Sequence, residues 1–388
     1  MRTYRVISAD GHLELPPDRL LPFLPREFHD RAPRLVKLSQ GGEALLIEGW
    51  PLIRNGSNLL AGRRQGAPVS YWNPDGSSSP GTGGGAQRLR EQDEHGVDAE
   101  ILFPPVYLMA ALSRIEDKTV YRALIRAYNR YLAEEYCVVA PDRLVAPGAI
   151  PASGLDDALE ELDWCRKAGL KAANLAYFPS GSLTAKPEDD RFWAAALDMK
   201  MPLTAHTHFG HRYPVVLTQS PPPPFSVPGE HLVVRQAFIP PMMTIAQLLA
   251  TQVFDRFPAL QLYFAETQAS WLACALYQID ENADMWSDVY PWGENRRPPS
   301  DYIREHIYFG IIRDPMCAKM GELAVPMDRL MFGTDFPHGI GAYPDTQKWI
   351  DKNFEGVTPA LRRRILLENP ARYFGLDLEA SITPTPLN

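Results

Sequence analysis

Asp10, His12, His206, His208, Glu266 and Asp335 are the side chains of this sequence whose types and settings suit metal chemistry. The first pair lies in YRVISADGHLE, from Tyr4 to Glu14. Val6 and Ile7 lead straight into Asp10-Gly11-His12, and in an extended strand residues two apart point the same way. Asp10 and His12 therefore share a face, with Gly11 opposite, and an oxygen and a nitrogen donor so placed can clasp a divalent cation. A single D-x-H is a weak signal, because a histidine near a strand end is more often structural. The other four residues strengthen it, since they follow three further short apolar runs. Of only nine histidines in the chain, three sit at such ends. Imidazole nitrogen combined with carboxylate oxygen suits zinc or another divalent transition metal.

The elements that must position these groups are eight short runs, apolar almost throughout. They are 4–14, 98–103 (DAEILF), 143–150 (RLVAPGAI), 170–177, 202–206 (PLTAH), 260–265 (LQLYFA), 306–312 and 329–334 (RLMFGT). Apolar runs without alternation suit strands of a parallel sheet buried on both faces. Helical periodicity falls between them, at 87–95, 117–139, 155–168, 189–199, 241–256 and 268–284, with closing helices at 344–353 and 359–367. Eight such units predict a closed (β/α)8 TIM-like barrel. In that fold reactive groups gather at the C-terminal ends of the strands. The mouth then receives Asp10 and His12 from the first strand, His206 and His208 from the fifth, Glu266 from the sixth and Asp335 from the eighth. No G-x-G-x-x-G opens a helix after a strand, which argues against a dinucleotide-binding fold.

The 388 residues divide into one barrel domain over 1–376 and a loose tail, 377–388. An insertion after the first strand, about 30–86, holds a hairpin at 34–53 around Gly41-Gly42, then a Gly/Ser-rich loop at 54–86. That loop reads equally as an active-site lid or as a disordered excursion. A second long loop, 212–240, carries four consecutive prolines at 221–224. Hydrophobic content of 45% and charged content of 22% belong to a soluble globular protein. A net charge of −8 argues against nucleic acid or an acidic membrane as partner. Cys137, Cys165, Cys274 and Cys317 lie far apart and read as reduced thiols. With neither a leader nor a bilayer-length apolar run, the expected location is cytoplasmic.

SADGHLE at 8–14, PLTAHTHFG at 202–210, LYFAETQASWL at 262–272, MFGTDFPH at 331–338 and LLENPARYFGL at 366–376 together resemble the amidohydrolase superfamily. The resemblance is to the branch of aminocarboxymuconate-semialdehyde decarboxylase and related aromatic-acid decarboxylases. It implies one divalent metal ion, zinc first and manganese second, held by Asp10, His12, His206 and Asp335. Asp10 stands where the family's opening H-x-H has its first histidine. Asp335 matches an aspartate that binds metal and moves protons, and His208 is implied to be a substrate-side or supporting group. Glu266 replaces the strand-six histidine of the decarboxylase. It is either an acid/base, a ligand or a buried carboxylate that orients one. His338 either faces the pocket or is a loop residue bonded to backbone, and Glu14 either supports a ligand or ties down its loop.

The activity implied is non-oxidative decarboxylation of an aromatic or unsaturated carboxylic acid. The alternative is hydrolysis of a C–N or C–C bond by metal-activated water. A barrel that binds a small molecule without turnover is a third reading, at odds with the assembled acids and histidines. An arginine of the insertion (Arg54, Arg63 or Arg64) is positioned in sequence to pair with a substrate carboxylate. Tyr71, Trp72, Phe209, Trp271 and Phe336 are candidates to wall an aromatic substrate, although ordinary packing accounts for them equally. The expected assembly is a homodimer.

Overall fold

The computed structural model describes residues 3–47, 50, 52–211, 239–293, 296–321 and 325–386. Among these, eight parallel strands form the barrel: β1 (Ile7–His12), β2 (Ala99–Phe103), β3, β4 (Ala173–Leu175), β5 (Leu203–Ala205), β6 (Leu262–Phe264), β7 (Ile307–Ile311) and β8 (Leu330–Phe332). β3 comes in two pieces. Leu144–Val145 pairs with β2, and Gly148–Ala149 pairs with β4. Pro147 lies between them and has no N–H to give to a ladder. The strands are buried end to end, which is why their sequences are apolar without alternation. No helix among the described residues is long and apolar enough to cross a membrane.

The seam between β1 and β8 positions the mouth. The register of β1 on β2 shifts between Ser8 and Gly11. Ile7 and Ala9 pack with the barrel interior beside Ile101 and Phe103, whereas Leu13 belongs to the outer core. A bulge of this kind adds one residue and re-aims the side chains beyond it, so Ile7, Asp10 and His12 all turn inward. Gly11 faces the other way, where a Cβ would stand 2.9 Å from Arg88 Nη2 and 3.1 Å from Glu100 Oε1. Gly333 is likewise required, because a Cβ there would lie 2.3 Å from that of Asp10. Backbone bonds from Asp335 N to Asp10 O (2.7 Å) and from His12 N to Phe336 O (2.8 Å) close the ring.

Behind the seam lies a buried ion pair. Arg88 donates through Nε to Glu100 Oε2 (2.6 Å) and through Nη2 to Phe336 O (3.1 Å), tying the helix Gly85–His95 to β2 and to the exit of β8. His95, at the end of that helix, packs between Phe336 and Tyr343, and burial pushes its pKa down to about 4.

Three expectations change. The hairpin gains a third strand, Arg34–Lys37, Glu43–Leu46 and Ile53–Arg54 forming one antiparallel sheet. The 54–86 loop is ordered, with Leu59, Leu60, Val69 and Tyr71 making a small core of their own. It is bonded to the β8 exit by Ala61 N to Pro337 O and Gly339 N to Ser57 O (both 2.8 Å). The tail is pinned rather than loose: Ile382 is buried, and Thr383 bonds Asp142 through its amide (2.7 Å) and hydroxyl (2.6 Å). A helix at Val106–Leu112 went unforeseen behind Pro104-Pro105. The four-proline run lies outside the described residues.

Removing the charge of Glu100 in Glu100→Gln strands a buried guanidinium, with an expected loss of about 3 kcal/mol or more in urea unfolding. A loss below about 1 kcal/mol would show that the pair is not desolvated as described. His95 is neutral in the fold but binds a proton when unfolded at acid pH. Its share of stability is therefore complete above about pH 6.5 and is lost as pH falls toward about 4. His95→Phe should flatten that part of the pH–stability curve, and an unchanged slope would refute the assignment.

Candidate metal centre

The donors reach the mouth from four strand ends. Asp10 and His12 come from the bulged β1 and His206 directly follows β5. Glu266 and Asp335 sit two and three residues beyond β6 and β8. Both of the last two have left-handed backbones, with φ of +59° and +54°. That conformation costs a non-glycine residue about 1–2 kcal/mol and is retained mainly where surrounding structure enforces it.

His12 Nε2 lies 3.3 Å from Asp335 Oδ1 and 3.7 Å from Asp10 Oδ1. His206 Nε2 lies 3.7 Å from Asp10 Oδ1 and 3.7 Å from Glu266 Oε2. Donors about 2.1 Å from a common ion stand roughly 3.0–3.4 Å apart in octahedral or tetrahedral arrangement, so Asp10, His12 and His206 come close to the spacing for one cation, with Asp335 beside His12 and Glu266 beside His206. The hydrogen-bond inventory agrees. Both carboxylate oxygens of Asp10, both of Asp335, and Nε2 of His12 and His206 are buried without a hydrogen bond. So many orphaned polar atoms at one point are costly unless something charged satisfies them. His12 Nδ1 faces the Pro104 carbonyl at 3.3 Å, which makes it the protonated nitrogen and leaves the Nε2 lone pair to the centre.

Electrostatics separate the groups. Burial, with His338 and His206 nearby, pushes His12 down to about 4, so it is neutral as a ligand must be. For His206 burial acts downward, but Asp10, Glu266 and Asp335 outweigh it and raise the pKa. Burial first, then the Asp335 charge, lifts Glu266 to about 8. Burial also opposes ionisation of Asp335, yet His338 and His12 hold it below the usual carboxylate range.

His338 faces inward. Its Nδ1 is 3.0 Å from Asp335 Oδ1, its Nε2 is 3.3 Å from Glu14 Oε1, and its ring stacks on His12 at 3.7 Å. Burial works against its charge, but Asp335 and Glu14 outweigh it and hold the pKa well above the ordinary value. Glu14 in turn accepts from Asn58 Nδ2 (3.0 Å), so it serves the loop and the site together. Glu14, His12 and His338 also lie close enough to hold an ion, but His12 Nε2 already points at the first group.

The structure does not bring every sequence candidate to this centre. β5 ends at Ala205 and 207–210 form a turn, so His208 is not aimed by a strand pleat. It meets His206 through Thr207, whose Oγ1 is 2.9 Å from His208 Nδ1 and 3.3 Å from His206 Nδ1. Trp271 donates to the Thr267 and Gln268 carbonyls and packs on Phe309, bracing the Glu266 loop from outside. Phe209 packs with Phe178 and Phe264 in the outer core. Phe336 lies under the Arg88 guanidinium at 4.6 Å. Arg54 is half-buried in the insertion sheet, while Arg63 and Arg64 are exposed; Tyr71 is buried within the insertion and Trp72 is partly exposed. Two neighbours escaped the sequence reading. Phe103, ending β2, stands 5.2 Å from the His206 ring, and Tyr263 is buried inside the barrel with its hydroxyl unpaired. Phe103 was findable as the last residue of its strand. Tyr263 was not, because a three-residue strand does not reveal which parity faces inward.

A (β/α)8 barrel that gathers buried, unsatisfied imidazole and carboxylate donors at its C-terminal mouth belongs to the class of metal-dependent barrel enzymes. The family model described as amidohydrolase matches residues 10–376, and the chain belongs to that family. Over 307 residues it is 25% identical to a gamma-resorcylate decarboxylase of Rhizobium sp. (strain MTP-10005), spanning 75% of this chain and 86% of that protein. In structure it resembles an amidohydrolase from Mycobacterium avium subsp. paratuberculosis K-10, with a TM-score of 0.67 and 17% identity over 98% of this chain and 100% of that one. A dihydroxybenzoic acid decarboxylase from Polaromonas sp. JS666, solved with manganese and 2-nitroresorcinol, gives a TM-score of 0.61 and 19% identity over 96% of this chain and 97% of that one. These two likenesses speak for the fold.

The purified protein should carry about one divalent ion per chain, and His206→Ala should lose most of it while staying folded. Metal analysis by mass spectrometry decides this. Wild-type protein that arrives empty and takes up neither zinc nor manganese would rule the centre out.

Proposed function

We propose that the chain is a metal-dependent, non-oxidative decarboxylase of an aromatic carboxylic acid. The observation that carries this reading is the gamma-resorcylate decarboxylase relative, aligned over 75% of this chain and 86% of its own length. Asp10, His12, His206 and Asp335 would hold the ion, with Glu266 at its edge. Zinc and manganese both suit this donor set, and the manganese-bound neighbour supports weighing manganese beside zinc. An ion held there would supply Lewis-acid polarisation of a substrate oxygen.

The remaining work falls to side chains. The bond from the ring carbon to the carboxylate breaks, carbon dioxide leaves, and the electron pair stays on carbon until a proton arrives there. Glu266, which burial and the Asp335 charge keep protonated, delivers that proton; Asp335, held ionised by His338 and His12, does so only after taking one up. His338 steadies Asp335 from behind through its 3.0 Å contact. A wall of Phe103 beside the imidazoles limits water near the developing carbanion. A homodimer is proposed too, supported by the exposure of Tyr277, Met285, Trp286, Val289 and Tyr290 along one helix and the turn after it. All four cysteines are free, which supports a reducing, cytoplasmic setting.

Zinc- and manganese-loaded enzyme should release carbon dioxide from at least one member of a hydroxybenzoate panel that includes 2,6-dihydroxybenzoate. Asp335→Asn should lower kcat by about 100-fold or more. Cleavage of amides in a parallel panel, with no carbon dioxide from any acid, would overturn the proposal in favour of a hydrolase.

A further inference from the structure

The opposite end of the barrel holds a cavity of about 520 Å³, within the range of small-molecule sites. Its walls come from the segments that lead into β5, β6 and β8, together with β7 and the C-terminal helix Asn369–Phe374. It is thus remote from the mouth, where the strands end. From this cavity we infer that the base of the barrel is a second binding site, for a small organic anion with an apolar body and a phosphate or carboxylate head.

Charge is the first argument. Lys200, Arg329 and Arg372 line the cavity against a single acid, Asp328. The chain is acidic overall, and elsewhere its arginines meet carboxylates closely, as Arg122, Arg130, Arg256 and Arg363 do. Among the described residues Lys200 has no carboxylate within 4 Å and no side-chain hydrogen bond. Arg372 donates only to the Asn369 amide oxygen (2.9 Å). Arg329 is held in place, donating to the Tyr308 hydroxyl (2.6 Å) and the Arg304 carbonyl (3.0 Å), with Asp328 no nearer than 3.8 Å. Three cations around one concavity repel one another unless an anion enters.

The second argument is conformational. Lys200 follows the helix Asp190–Asp198 with φ of +51°, a left-handed position that glycine occupies without strain. The turn is satisfied by backbone alone, Lys200 N bonding Leu197 O (3.0 Å) and Met201 N bonding Ala196 O (2.9 Å). The lysine side chain therefore adds nothing to the cap, and what it adds is a positive charge on the rim. Leu197, Met201 and Leu260 supply the apolar wall that an aryl or alkyl group would cover. The inference does not depend on the reaction at the mouth.

Isothermal titration of metal-loaded enzyme with phenyl phosphate tests it. Saturable binding of one equivalent per chain is expected, weakened about tenfold by Lys200→Gly and by Arg372→Gln. Turnover and metal content should stay at wild-type values in both variants. Binding should also persist in His206→Ala, which separates this site from a phosphate captured by the metal ion. Should Arg372→Gln fail to fold, Lys200→Gly decides alone, because glycine suits that turn. Absence of saturable binding across the millimolar range, unchanged affinity in Lys200→Gly, or loss of binding with the metal ion would each overturn the inference.

Discussion

The centre depends on how the first strand meets the exit of the last. At that seam Asp10 and Asp335 are brought together by a 2.7 Å backbone bond, and Gly11 and Gly333 keep the approach free of side chains. A methyl group at either glycine would strike an ion-paired guanidinium or the backbone of a ligand. Packing density leaves no room to relax such a collision. The buried Arg88–Glu100 pair then fixes the seam from outside by bonding to β2 and to the Phe336 carbonyl. Ring closure and site formation are one event.

Once formed, the mouth concentrates titratable groups. Three carboxylates and three imidazoles share a space that water does not reach freely. Their mutual effects are opposite in sign from one group to the next: His12 is driven neutral, Asp335 is driven ionised, and Glu266 is held back from ionising. Carboxyl groups with environments that push their pKa values apart are the usual basis for dividing acid and base work in an enzyme. A cation among these donors would offset the charge that Asp335 and Asp10 exert on Glu266, so fold stability and metal occupancy would be thermodynamically linked here.

Much of this was legible in the sequence, for a definite reason. Strands buried on both faces must be apolar throughout, so eight such runs announce a parallel barrel, and the polar residues at the ends of four of them announce the mouth. What stayed hidden needs register or long-range contact. Nothing in ISADGH marks a bulge, yet the bulge is what lets Ile7 and Asp10 both turn inward. Trp271, Phe209 and Phe336 adjoin the donors in sequence and so were open to a wall or to packing; loop geometry takes Phe209 into the outer core with Trp271 against it, and puts Phe336 under the Arg88 guanidinium. The tail read as loose from its prolines and threonines, but Thr383 and Thr385 reach side chains more than 200 residues away.

That last feature bears on the order in which the molecule is built. Arg143, fully buried, directs Nη1 at the Thr383 carbonyl and the Thr385 hydroxyl. During synthesis this guanidinium and the open edge of β1 must wait until residues 330–385 have left the ribosome. Until then the nascent chain carries an unsealed sheet, and this is the interval in which a chaperone has most to offer it.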